Sequence, residues 1–111
     1  AAAVRRAAEL NQRPIALVTT IHHGPRPLSD SFASVEPDNL VLSVIKQAED
    51  NDDLILRCYE TAGRPVMDSI RLPCVNRAIT AAFGPNEIKT FRVPRADSLP
   101  VVETSLLEWE E

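Results

Sequence analysis

The sequence predicts an all-β fold, an antiparallel β-sandwich of about seven strands with a short N-terminal helix or coil. Three observations carry this. Apolar, β-branched runs recur with turn signals between them, about every ten residues. Nine prolines against three glycines punctuate the chain and disfavour long helices. The runs at 40–46 and 54–60 flank the stretch QAEDNDD, which has the composition of an exposed turn, so the three pieces read as an antiparallel hairpin.

The elements follow in order. Residues 1–10 are Ala-rich, with Val4, Ala7 and Ala8 at helical spacing beside Arg5, Arg6 and Glu9, a short amphipathic helix too brief to be stable alone. Pro14 stops it. Residues 15–21 alternate and are β-branched, which predicts a strand, and residues 22–30 (HHGPRPLSD) predict a loop. Centring the hairpin on Asp50 places Leu40, Leu42 and Val44 opposite Glu60, Cys58 and Leu56 on a nearly apolar face. The other face pairs Val41 with Tyr59, Ser43 with Arg57 and Ile45 with Ile55. A hairpin wet on one side would alternate cleanly, and this second face does not. Further strands are expected at 66–72, 75–82 (around Pro73), 87–93 and 101–107, the last before the acidic end Trp109-Glu110-Glu111. No repeat or linker divides residues 1–111, which form one domain.

The chain has 111 residues, 44% hydrophobic and 25% charged, enough for one core without metals or disulfides. A net charge of −4 argues against a nucleic-acid partner, which needs a basic stripe. No apolar run approaches the ~18 residues that would span a bilayer, so no membrane partner is expected. The only methionine is Met67 and the chain opens on Ala1-Ala2-Ala3, so either an initiator was removed or the chain is a piece of something longer. Cys58 lies in an apolar run where a free thiol acts as a small hydrophobe, and neither it nor Cys74 belongs to a zinc-spaced pair. With no N-glycosylation acceptor, this leans to a reducing, cytoplasmic setting.

Candidate chemistry is sparse. Neighbours on a strand point to opposite faces, so His22 and His23 would share one ion only if a turn intervened. Asp50 and Asp52 fit the first positions of a calcium loop, but Leu54 and Ile55 fall where a ligand and the glycine belong. Glu60 and Glu87 each bound an apolar strand and are the acids to weigh as a glycosidase pair, against the simpler reading of partners for Lys46, Arg57 or Lys89. Nucleophile motifs and phosphate loops are absent, and the five aromatics, Phe32, Tyr59, Phe83, Phe91 and Trp109, read as core rather than a sugar platform.

Several segments taken together resemble the C-terminal region of glycoside hydrolase family 38 α-mannosidases. They are ELNQ with Pro14, Ser31-Phe32, LVLSVIK leading to Ala48-Glu49-Asp50, then Leu56-Arg57 with Tyr59-Glu60 and Gly63, EIKT at 87–90, and the closing LLEW at 106–109. The resemblance implies a C-terminal β-sandwich whose parent enzyme hydrolyses terminal α-mannosides with retention. In that family, zinc and the catalytic aspartates belong to an N-terminal barrel. It therefore implies no catalytic residue, metal ligand or cofactor in this piece, with zinc expected in the parent's catalytic domain. The expected partners are the other domains of the parent, which is compatible with a homo-oligomer. The Tyr59-Glu60 ending looks more like the cytosolic or vacuolar branch.

The semi-apolar second face of the hairpin needs a cover, and a neighbouring domain would supply one. Val41, Ile45, Ile55 and Tyr59 are accordingly expected to form or border an inter-domain surface. The alternative, from another class, is a free-standing β-sandwich module that binds carbohydrate or protein.

Overall fold

The computed structural model describes residues 2–96 and 98–105, among which seven strands form two antiparallel sheets behind one N-terminal helix. The helix α1 (Ala2–Asn11) forms where alanine makes helix least costly, and Arg6 and Glu9 pair across one turn at 2.8 Å. No helix among the described residues is long and apolar enough to cross a membrane.

Strands β1 (Ser34–Glu36), β4 (Val66–Leu72) and β5 (Arg77–Phe83) form one sheet in the order β1-β4-β5. Strands β2 (Leu40–Gln47), β3 (Leu54–Glu60), β6 (Ile88–Val93) and β7 (Val102–Thr104) form the other in the order β2-β3-β6-β7. Period-two alternation fills the space between them. Leu40, Leu56, Cys58, Phe91 and Val93 come from the four-stranded sheet and meet Ile70, Leu72, Ile79 and Phe83 of the other. Phe83 and Phe91 touch edge to face across the gap, with centroids 6.4 Å apart. Each such side chain contributes about 1.5–3 kcal/mol by leaving water, and this one layer holds the sandwich together.

The sequence-based element order needs three corrections. Residues 15–21, predicted as a strand, pair with no strand among the described residues and are exposed throughout; the first strand there is instead the short β1. Alternation gives a segment the capacity to pair, but a strand exists only where an edge meets it. After β4 the chain makes a 3₁₀ turn (Pro73–Val75), closed by Asn76 in the left-handed region at φ 54°, so β5 opens at Arg77 rather than at position 75. Strand β7 ends at Thr104, and positions 106, 107, 109, 110 and 111 of the predicted strand and acidic end lie outside the described residues.

The third correction concerns the hairpin register. Leu40, Val41 and Leu42 face Glu60, Tyr59 and Cys58 as expected, but a bulge at Ser43 then shifts the pairing. Val44 lies opposite Arg57, Ile45 opposite Leu56 and Lys46 opposite Ile55. The expected pairs Val44 with Leu56 and Ile45 with Ile55 do not form. One extra residue exchanges the two faces of the rest of the strand, so Ile45 turns to the inner side at the open edge of β2 and Val44 turns outward. The Ser43 hydroxyl donates to the Arg57 carbonyl at 3.0 Å, which gives the bulge a polar anchor.

Candidate functional site

Glu60, the last residue of β3, is buried at one end of the sandwich. Its carboxylate accepts five hydrogen bonds. Oε1 takes the side-chain amide of Asn39 at 3.0 Å and the backbone N–H of Ala62 at 2.6 Å. Oε2 takes the N–H groups of Gly63 at 2.8 Å, Arg64 at 3.3 Å and Asn86 at 2.8 Å. One side chain thus ties together the entry to β2, the turn after β3 and the turn between β5 and β6. Backbone conformation makes the geometry possible: Gly63 and Asn86 both adopt positive φ, 72° and 56°, which aims successive N–H groups at one point. The Asn39 carbonyl completes the knot by accepting from the Thr61 N–H at 2.8 Å and its hydroxyl at 2.9 Å.

Burial alone would raise the Glu60 pKa, but the donors from Asn86, Ala62, Asn39 and Gly63 outweigh it and hold the group at about 2. A carboxylate so held is ionised at all ordinary pH and has no proton to lend. The two acids weighed as a pair in the sequence have different surroundings, and their backbones meet where the Glu60 N–H donates to the Glu87 carbonyl at 3.0 Å. Glu87 is exposed, and its Oε1 caps the Gly84 N–H at 2.9 Å and lies 3.8 Å from Lys89. The partners of Glu60 are main-chain donors rather than Lys46, Arg57 or Lys89. The signal that could have revealed them is Glu60 immediately before Thr61-Ala62-Gly63, an acceptor followed by a turn of free N–H groups.

A second acid, Asp68, was not singled out in the sequence. It follows the inward alternation of β4 with Ile70 and Leu72, is 1% exposed, and neither carboxylate oxygen meets a donor among the described residues. Burial, then the negative charge of Glu60, raises its pKa to about 6. Its charge acts in turn on Cys58, whose thiol is pushed up to about 12, first by burial and then by Asp68. Cys58 is therefore a protonated, unreactive core thiol, and Cys74 is free and exposed. Asp68 also contributes to the wall of a cleft of about 540 Å³ on the outer side of the three-stranded sheet, with Glu36, Pro37, Met67, Ser69 and Thr80.

The remaining candidates are dispersed. His22 and His23 are exposed on the N-terminal arm, with His22 Nδ1 2.7 Å from the Thr20 carbonyl. Among the described residues no group of three or more His, Cys, Asp or Glu side chains is placed to hold a metal ion. The acidic turn between β2 and β3 is engaged by Arg92, whose Nη1 lies 3.1 Å from Asp50 and 3.4 Å from Asp53. Of the aromatics, Phe83 and Phe91 are core, Tyr59 is half-buried, and Phe32 lies under the Arg26 guanidinium; Trp109 is outside the described residues.

The four residues expected at an inter-domain surface are distributed as follows. Val41 and Tyr59 sit opposite each other on the outer face of the four-stranded sheet, both half-buried. Ile55 is on the same face but fully buried, flanked in register by Lys46 and Arg92. Ile45 is on the inner side at the edge and 49% exposed. The bulge brings Val44 to the outer face, and the register of β6 adds Ile88, opposite Tyr59 and exposed. The outer apolar strip is thus Val41, Val44, Tyr59 and Ile88 over Ile55, a set that needed the bulge and the β3–β6 pairing to be seen.

Fold and site together define a β-sandwich module whose buried acid fastens three segments at one end. Residues 39–76 match the family model described as the glycosyl hydrolases family 38 C-terminal beta sandwich domain, which bears out over that stretch the identification the sequence suggested. The matched stretch runs from Asn39 through β2, β3, β4 and the 3₁₀ turn, and so contains Glu60 and Asp68. No curated protein and no solved structure matches the chain.

Proposed function

We propose that the chain is the non-catalytic C-terminal accessory domain of a glycoside hydrolase family 38 α-mannosidase. The match over residues 39–76 carries the reading. The state of the interior groups supports it: Glu60 is committed to five donors and Cys58 is held protonated. In this reading the parent hydrolyses terminal α-mannosides with retention, its zinc and catalytic acids lie on other domains, and this sandwich braces them. The strip of Val41, Val44, Tyr59 and Ile88 is the surface that a neighbouring domain covers, with Ile55 beneath it and Ile45 at its border. Two free thiols, one exposed, support a reducing, cytoplasmic setting.

The test is to clone the reading frame around Ala1 and assay the product and the isolated chain on an aryl α-mannoside. The full product should release the aryl alcohol and the isolated chain should not. Ile88→Asp should lower the melting temperature of the full product and leave that of the isolated chain unchanged. Mannoside hydrolysis by the isolated chain, or a full product without a glycosidase domain, would overturn the reading.

A further inference from the structure

Among the described residues the N-terminal arm carries a run of exposed apolar side chains that no other element covers. Residues 15–21 (IALVTTI) have the alternating, β-branched pattern of a strand, yet Ile15 is 91%, Leu17 88%, Val18 104% and Ile21 105% exposed. Such a run gains its stability by pairing with a sheet edge.

Among the described residues four strands border no neighbour on one side: β1, β5, β2 and β7. Strands β1 and β7 have three residues each, too few to match the arm, and β2 is interrupted by its bulge. Strand β5 pairs with β4 without a register shift over all seven of its residues, and its other side is open. Seven residues of arm therefore meet seven residues of regular, open edge.

We propose that residues 15–21 of one copy add as an antiparallel strand to the free edge of β5 in a second copy, the two copies exchanging arms reciprocally. In the register that places Ile21 opposite Arg77 and Ile15 opposite Phe83, Ile15, Leu17 and Thr19 continue the inner face beside Phe83, Ala81 and Ile79. Ala16, Val18 and Thr20 then lie outside, next to the exposed Ala82, Thr80 and Ala78. The same register carries Arg13 to the Gly84–Glu87 turn, where Glu87 offers an exposed carboxylate.

The connection to the body favours a second copy over folding back. Residues 22–33 contain Gly24, Pro25 and Pro27, and their last part is braced. Arg26 pairs with Asp30 at 3.5 Å and stacks on Phe32 at 5.1 Å, and the Ser31 hydroxyl donates to the Ala33 carbonyl at 2.7 Å. In this chain the arm is exposed along 15–21 and meets no edge of its own sandwich, and reciprocal exchange would bury both arms in a closed two-fold pair.

The experiment uses the full chain with Cys74→Ser. Val18→Cys and Thr80→Cys are made in separate copies, mixed and oxidised, and light scattering follows self-association of the parent protein and of Leu17→Asp. Leu17 is in the exposed arm, so its substitution leaves the sandwich core intact. The expected results are a disulfide-linked pair formed between the two variants and a dimer that Leu17→Asp weakens about tenfold or more. A monomer at every concentration, a dimer indifferent to Leu17→Asp, or no disulfide-linked pair between the two variants would each overturn the proposal.

Discussion

Asp68→Asn should change the pH dependence of stability in a way that isolates the unpartnered carboxylate. The ordinary pKa of the group is 3.8 and in the folded chain it is about 6, so between those values the native state binds more protons than the unfolded one. Stability then falls as pH rises, is least penalised below about pH 4, and carries the full cost above about pH 6. The rise corresponds to roughly 3 kcal/mol at 1.36 kcal/mol per pH unit, and relaxation of the interior around the charge brings the expected effect to about 1–2 kcal/mol. The Asn amide is equally buried and carries a penalty that does not depend on pH. The expected signature is therefore that the stability of Asp68→Asn relative to the original chain improves by about 1–2 kcal/mol between pH 4 and pH 8. Urea unfolding followed by far-ultraviolet circular dichroism at pH 4, 5, 6, 7 and 8 reads this directly. Glu60 has the opposite sign, but its contribution is complete above 4.5 and is lost only as pH falls through about 2, so it lies outside most of the window. A difference between the two proteins that stays flat from pH 4 to pH 8 would show that Asp68 is solvated or paired and would sink the reasoning.

Three further outcomes follow from the same interior groups and their neighbours. Glu60→Ala strands five donors, four of them backbone N–H groups, and should lower the melting temperature by on the order of 10 °C; Glu60→Gln, which keeps an acceptor but loses the charge, should fall between. Gly63→Ala has ordinary space, the nearest atom being the Asn86 side-chain nitrogen at 3.7 Å, but must hold φ at 72°. It should cost about 1 kcal/mol of backbone strain by urea unfolding, and no loss would show that the turn relaxes. In native buffer at pH 8 a thiol reagent should label Cys74 within minutes and leave Cys58 unlabelled until the chain is unfolded; equal rates would contradict the burial of Cys58.

Much of the scaffold was legible because it rests on local chemistry. The hairpin of β2 and β3 followed from two apolar runs around an acidic turn, and the inner face of Leu40, Leu42, Cys58 and Leu56 followed from period-two alternation. The bulge at Ser43 was not legible, because nothing in the alternation of LVLSVIK marks an unpaired residue; only the partner strand shows it. Its consequence reached the proposed docking strip, where Val44 stands in the place expected for Ile45. Asp68 was missed for a related reason. Alternation along VMDSIRL sets it on one face with Val66, Ile70 and Leu72, but only the packed structure shows that this face is the interior one and that no donor among the described residues meets the carboxylate there.

The sequence by itself determined the all-β class, the main hairpin and the apolar inner face of that hairpin's first half. Each of these depends on residue type and on spacing along the chain. The tertiary structure alone decided the rest. It left the strand-like segment 15–21 without a partner and moved Ile45 off the outer face. It also converged three turns on Glu60 and buried Asp68 without a donor. These depend on which edge, face or dipole comes to lie beside a residue from elsewhere in the chain, and no local pattern encodes that neighbour.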